Sequence, residues 1–505
     1  MSNKRFARRE HASTSVTRMA AACADSTQST ALPARPSLHH ARQRAFEALC
    51  AVMLALSLSM APVAALADVR TSDTVRQITA EQLGLPPAQL PSIDAEYAFV
   101  ATSDGEPYFT RNCHEKTKIA SVTKIMTALV ALDYLDRNVT VEVSTSAATI
   151  GESSASLQAG DKLSLENAVK ALMICSGNDA AQAIAESLGP VILKEAQEQS
   201  QASDSVATAD VPSSPYQAFV WAMNRKANEL GMVDSKFGNP HGLDTDQHNG
   251  DFYSTAYDVY LMSKKAMESE LFRSTVSTHE TTIPVQRGDQ TVDLVLTSTD
   301  TMLTSYPGAC GIKTGYTEQA GYCFAGAADR DGETLFAIVL HSTSEQQRFT
   351  DCETLMDWVY NNTVDYKLIN TDQTVEASID GTTKEVPVVA DVANASWIDS
   401  TFKATVSDPN QSVEVFALDG NIGQEATFYE VQGDVHEGQK VGTIEFKQHN
   451  QTIATADLIA AQDCPGPDFF QGVGVFWDRA WRTITGQPTQ AESSLVNTTP
   501  LIKEL

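Results

Sequence analysis

The apolar and polar positions of the chain change period several times, and each change predicts an element. From Tyr97 the run YAFVAT alternates, breaks at Asp104-Gly105 and resumes as PYFTRN, the pattern of a β-hairpin. IASVTK, Ile119 to Lys124, then opens a long apolar helix. Residues 165–174 and 179–188 carry helical periods joined by Cys175-Ser176-Gly177-Asn178, with Gly189 placed as a C-cap. The polar, Ser/Ala/Gln-rich stretch 195–215 reads as a mobile insertion, bounded at 190–216. Two more helical patterns follow, 216–230 ending at Gly231 and one starting at a capping Ser254.

Past residue 309 the period becomes alternating. ACGIKTGYT, AGYCFAGAAD and, after the turn RDGE, TLFAIVLHS predict three strands of an antiparallel sheet, and EQQRFTDCETLMDWVYNN predicts a helix that closes the unit near 365. Together these elements predict an α/β fold, an antiparallel sheet flanked by helices plus an all-helical lobe. Residues 366–463 are Thr/Val-rich with Gly, Asp and Asn turns and no helical period, which predicts a small all-β domain. The last segment, 464–505, holds FFQGVGVFWDRAWRTITG and a polar tail. Within 469–486, Phe469, Phe470, Val473, Phe476, Trp477, Ala480, Trp481 and Ile484 recur on one helical face, which suits contact with a membrane surface or packing on the β domain.

Composition adds a compartment. The first 67 residues hold eight Lys/Arg against three acids, then the apolar run ALCAVMLALSLSMAPVAALA ending in Ala65-Leu66-Ala67. That is the form of a secretory signal with a long basic n-region, an uncleaved anchor being the other reading; 68–93 follows as a linker. Arg8-Arg9 lies too far from the apolar run for a twin-arginine signal, and Cys50 lacks the small residues expected before a lipidated cysteine. The whole chain carries -28, so the remainder carries -33, a charge that excludes nucleic acid as a partner. Export would place the chain on the extracytoplasmic side, where the remaining cysteines, 113, 175, 310, 323, 352 and 464, face oxidising conditions. Cys310 and Cys323, on two predicted neighbouring strands, form the favoured pair, with buried free thiols as the alternative.

The candidate chemistry begins at Ser121 and Lys124. At i and i+3 of a helix they share one face a turn apart, close enough for the amine to take the hydroxyl proton, beside the free N–H groups of the helix start. A second S-x-x-K, Ser400 to Lys403, lies in a strand-like pattern that sends the two side chains to opposite faces. The first copy is followed in order by Ser176-Gly177-Asn178 on a loop and Lys313-Thr314-Gly315 on an edge strand. This ordered set resembles the active-site set of class A β-lactamases and penicillin-binding proteins. His241, in NPHGLD, has no second histidine at ligand spacing and reads as a structural loop residue, so neither a metal nor a cofactor is expected.

NPHGLD (239–244), YSTAYDVYLM (253–262), GIKTGYTEQAGYC (311–323) and QRFTDCETLMDWVY (347–360) resemble the D-alanyl-D-alanine carboxypeptidases, low-molecular-mass penicillin-binding proteins of peptidase family S11. The resemblance covers about 94–365 and extends loosely to EGQKVGTIEF (437–446). It implies the transpeptidase fold shared by penicillin-binding proteins and β-lactamases, and removal of the terminal D-alanine from peptidoglycan stem pentapeptides, with β-lactams as covalent inhibitors. It also implies Ser121 as nucleophile, Lys124 as general base, Ser176 as proton relay and Asn178 as a substrate and lysine anchor. Lys313, Thr314, Gly315, Tyr316 and Arg348 would bind substrate, the N–H groups of Ser121 and Tyr316 forming an oxyanion hole and Thr314 and Arg348 meeting the terminal carboxylate. A neutral Lys124 would need desolvation and a neighbouring cation, which Lys313 could be. Three alternatives differ in chemistry: a class A-like β-lactamase, for which the chain lacks a Leu-Asn dipeptide; a DD-endopeptidase; and an inactive penicillin-recognising wall-binding protein.

Overall fold

The computed structural model describes residues 73–202, 212–330, 332–379 and 382–502; the predicted leader and Cys50 lie outside the described residues. Four strands come first, β1 (Asp73–Val75), β2 (Ile78–Thr79), β3 (Tyr97–Ala101) and β4 (Pro107–Arg111). A helical lobe follows with α1 (Lys124–Leu132), α2 (Leu165–Met173), α3 (Asn178–Ala202), α4 (Pro215–Glu229) and α5 (Ala256–Met267). Beside it β5 (Thr140–Glu142), β6 (Lys162–Ser164), β7 (Glu280–Arg287) and β8 (Gln290–Thr297) form a four-stranded sheet. Then β9 (Ala309–Thr317), β10 (Gly321–Arg330) and β11 (Glu333–Ser342) complete a seven-stranded sheet in the order β2-β1-β4-β3-β11-β10-β9, and α6 (Glu345–Asn362) covers it.

The strand period of two splits this sheet between two cores. Phe99, Ala101, Ala325, Phe336, Ile338 and Leu340 join the helical lobe, whereas Ala98, Val100, Phe324, Ala337 and Val339 pack under α6 with Phe349, Leu355 and Met356. Edge strand β9 is thereby held between the lobe and α6, and among the described residues no strand pairs with its outer side.

Three local expectations change. Residues 120–123 form a 3-10 turn, and regular α-helix starts only at Lys124. The helix from Asn178 does not stop at Gly189 but continues through Pro190 to Ala202, so much of the predicted insertion is helical; residues 203–211 lie outside the described residues. A Cβ on Gly189 would sit 2.3 Å from the Pro215 carbonyl oxygen, so this glycine lets α3 approach the start of α4. Burial of Ile192 and Ala196 then carries the helix past a proline that in isolation would cost about 3 kcal/mol. The cap of α5 is Thr255, whose hydroxyl accepts from the Asp258 N–H; Ser254 instead pairs its backbone with Thr117.

The Cys310–Cys323 pairing is corrected as well, since all six described cysteines are free thiols. The two strands are neighbours, but their register sets Cys323 opposite Gly315, five residues along β9 from Cys310. At about 3.3 Å per residue that offset exceeds the reach of a disulfide.

After α6 the chain is almost entirely β: β12 (Thr363–Lys367), β13 (Thr374–Ile379), β14 (Thr382–Pro387), β15 (Ala390–Ala393), β16 (Thr401–Val406), β17 (Ser412–Phe416), β18 (Gly423–Phe428), β19 (Lys440–Gln448) and β20 (Gln451–Ala460). The amphipathic segment forms α7 (Phe469–Thr485), started by a capping box of Asp468 and Gln471 and ended at Gly486 in the left-handed region. The residues after it return to the β domain. Strand β21 (Ser494–Leu495) pairs with β15, Asn497 is buried, and Ile502 enters the core with Tyr366, Val389 and Phe446.

Candidate active site

The turn that carries Ser121 is shaped from outside. Ala120 has φ +47°, a left-handed conformation that an alanine adopts only when its surroundings impose it. Gly242, itself at φ +87°, makes room for that turn: a Cβ there would lie 1.9 Å from the Ala120 carbonyl oxygen. The loop that holds Gly242 is tied to α1 by the Thr127 hydroxyl, which donates to the Pro240 carbonyl at 2.6 Å.

Lys124 projects from the start of α1 into the interior; it is fully buried, and no carboxylate among the described residues bonds it. Its Nζ lies 2.7 Å from Ser121 Oγ, 2.6 Å from Asn178 Oδ1 and 2.8 Å from the His241 carbonyl oxygen. Asn178 donates its amide nitrogen to the Gly151 carbonyl at 3.0 Å, which fixes its oxygen toward the lysine. Two of the three partners can therefore only accept. A neutral amine would spend both hydrogens on them, and its lone pair would be left for the Ser121 hydroxyl. Burial, and after it the charge of Lys313, holds Lys124 well below the ordinary lysine value, which favours that neutral form.

Ser176 and Asn178 reach the site from the loop between α2 and α3. Ser176 is buried and takes φ +62°, the bend that separates the two helices. Asp179 accepts from Ser154 Oγ and from the backbone N–H groups of Ala155 and Leu157, and so pins the neighbouring segment that includes Gly151.

Edge strand β9 forms the opposite wall. A Cβ on Gly315 would come within 2.9 Å of the Ile119 oxygen and 3.1 Å of the Ser121 nitrogen, so only glycine lets the strand lie this close to the serine turn. Lys313 is buried and donates to the Thr314 carbonyl at 2.9 Å; burial, then the Arg348 charge, lowers its pKa to about 7. Arg348, on the first turn of α6, is buried between Phe349 and Tyr322, points one N–H at the Gly315 carbonyl at 3.4 Å, and pairs with Glu345 at 3.2 Å. Tyr316 is half-exposed at the rim, its ring stacked 4.3 Å from that of Tyr322.

All nine sequence-predicted site residues lie on the serine turn, α1, the start of α3 and its preceding loop, β9 or the start of α6; Lys124 and Gly315 meet Ser121, Asn178 meets Lys124, and Arg348 meets Gly315. The second S-x-x-K does not join them: Lys403 lies on β16 and pairs with Asp391. Sequence reasoning overlooked two contributors. One is the His241 backbone carbonyl; the His241 ring is itself buried and accepts from the Leu243 N–H, and burial pushes its pKa down to about 2. The other is Asp300, a buried carboxylate that feels both Lys313 and Arg348 and whose pKa burial raises to about 6. Neither has a sequence signal, since one acts through its backbone and the other lies outside any motif. Among the described residues no group of His, Cys, Asp and Glu is placed to hold a metal ion.

Residues 87–190 and 192–344 match the D-alanyl-D-alanine carboxypeptidase family, peptidase S11. The chain is 26% identical to the Bacillus subtilis D-alanyl-D-alanine carboxypeptidase DacF over 391 residues, 76% of this chain and 89% of that one. It is 32% identical to a D-alanyl-D-alanine carboxypeptidase of a Streptomyces species over 293 residues, 56% of this chain and 93% of that one. The crystal structure of the Streptomyces K15 DD-transpeptidase covers 54% of this chain and 98% of its own, at 28% identity and a TM-score of 0.46.

Proposed function

The chain belongs to the D-alanyl-D-alanine carboxypeptidase family and is a serine-type carboxypeptidase of the penicillin-binding kind; from that premise we propose how its own residues perform the reaction. Ser121 Oγ attacks the carbonyl between the last two D-alanines of a peptidoglycan stem pentapeptide while Lys124 takes its proton. The N–H groups of Ser121 and Tyr316 hold the developing oxyanion. Ser176 passes a proton to the leaving D-alanine nitrogen, Asn178 anchors the substrate amide and the lysine, and Thr314 and Arg348 bind the terminal carboxylate. Water then releases the shortened peptide from Ser121 by the reverse use of Lys124. β-Lactams stop the cycle at the acyl-enzyme.

The observation that carries this reading is the trio of contacts at Lys124 Nζ, two acceptors and the serine, in a site where burial and a neighbouring cation favour the free amine. Released D-alanine from a pentapeptide ending in D-Ala-D-Ala tests it. The wild type should release it, the Ser121→Ala variant should not, and equal release by both would sink the assignment.

We read residues 94–365 as the catalytic domain, 366–463 with β21 as an accessory β domain, and the chain as exported to the outer face of the membrane or the wall. Residues 469–486 would touch the membrane surface. The face of α7 that carries Phe469, Phe470, Phe476, Trp477, Trp481 and Ile484 is between 63% and 83% exposed, while Arg479 and Arg482 on the other side bond Ala395, Trp397 and Asp399 of the β domain. The polar side is docked and the aromatic side faces out, as an interfacial helix requires. No helix among the described residues is long and apolar enough to cross a membrane.

A further inference from the structure

Thr299 belongs to none of the three motifs, yet its own bonds reach one of them and the residue two before another. Its backbone N–H donates to the Ile174 carbonyl at 3.3 Å, two residues before Ser176, and its Oγ1 lies 2.6 Å from Thr314 Oγ1. Thr314 is buried, whereas Thr299 is exposed. The corner around it is pinned. The Ser298 N–H donates to the His279 carbonyl at 2.7 Å, the Asp300 N–H to Ser298 Oγ at 3.1 Å, and Asp300 Oδ1 accepts from the Met302 N–H at 2.9 Å.

Between two threonine hydroxyls either oxygen can be the donor, and a bound carboxylate decides which. A carboxylate has no hydrogen to give, so Thr314 must donate to it, and the Thr314 oxygen is then free only to accept. Lys313 Nζ, 3.5 Å from Thr314 Oγ1, presents hydrogens from its own side and cannot receive one while protonated. Thr299 is the neighbour that must donate.

We propose that Thr299 is a positioning residue for carboxylate recognition. Its hydroxyl donates to Thr314 Oγ1 and so turns the Thr314 hydrogen toward the terminal carboxylate of the peptide, while its backbone N–H, bonded to Ile174, holds Thr299 beside the loop that carries Ser176. This rests on the reading that Thr314 meets that carboxylate.

The test compares kcat/KM on an N-acylated peptide ending in D-Ala-D-Ala with kcat/KM on the same peptide as its terminal carboxamide. Thr299→Val keeps the shape and removes the donor. It should lose about tenfold on the carboxylate peptide, chiefly in KM, and less than about twofold on the carboxamide, with Thr299→Ser restoring the wild-type ratio. A Thr299→Val enzyme with the wild-type ratio, or with equal losses on both peptides, overturns the proposal. A wild type that does not prefer the carboxylate defeats the Thr314 reading first and this one with it, so the two failures are distinguishable.

Discussion

The cleft around Ser121 and the outer face of α7 are inverses of each other. In the cleft Lys124, Lys313 and Arg348 are buried, with Asp300 as a buried acid near two of them. On α7 the large apolar side chains stand out in solvent while two arginines hold the opposite side to the β domain. Each reverses the ordinary placement of charge inside water and apolar groups inside protein, and each does so at a cost in folding free energy. On the reading proposed above, each departure is the counterpart of a partner: around Ser121 an anionic, reacting substrate, and on α7 an apolar surface.

The largest effect is expected from the base. Lys124→Arg keeps a cation in the cleft but cannot offer a neutral amine, because guanidinium does not deprotonate in proteins. Benzylpenicillin acylation followed by stopped flow should fall about a hundredfold to ten-thousandfold with the fold intact by circular dichroism. Unchanged kinetics would assign the proton to another group.

Next in size is the spacing between the two walls. Gly315→Val would drive side-chain atoms into Ser121 and Val122 backbone already within 3.1 Å of a bare Cβ. Acylation should drop about a hundredfold, as a displacement near 1 Å would produce. Thermal stability should fall less than the rate does. A variant acylated at the normal rate would show that β9 does not need this approach.

For the other half of the comparison, Trp477→Ser with Trp481→Ser removes two exposed indoles and leaves Arg479 and Arg482 docked. Binding to neutral phosphatidylcholine vesicles, measured by co-sedimentation, should weaken tenfold or more. Full co-sedimentation by the double variant would leave α7 without a membrane role.

The smallest effect concerns the cost of the buried charge. Lys313 titrates near 7 in the folded protein and near 10.5 unfolded, so between those values the unfolded chain binds more protons and stability rises with pH. The burial cost is therefore full below pH 7 and relieved toward pH 10. Lys313→Met should be more stable than wild type at pH 6, by roughly 1–3 kcal/mol, and the gain should shrink by pH 10. A gain that does not vary with pH would mean that the lysine is not the strained group.

Much of this was legible in the chain because the cues are local. Alternation over 309–342 gives β9, β10 and β11, and Ser121, Lys124, Ser176, Asn178 and Lys313-Thr314-Gly315 are recognised by type, spacing and order. What escaped is what depends on distant atoms. Gly189 looks like a helix stop until Pro215 is seen against it, Ser121 looks helical until Ala120 is found in the left-handed region against Gly242, and nothing in NPHGLD reveals that the His241 carbonyl meets Lys124. Likewise, the amphipathic period of 469–486 gives a helix but not its outward orientation, which Arg479, Arg482 and the return of β21 impose.

The central claim, that one serine activated by one buried lysine carries the chemistry, is tested most directly by mapping the covalent penicillin adduct. Benzylpenicillin-treated protein, digested and read by mass spectrometry, should carry one adduct on the peptide that contains Ser121 and none after Ser121→Ala. An adduct that persists in that variant, or that maps to Ser176 or Ser400, would contradict the account.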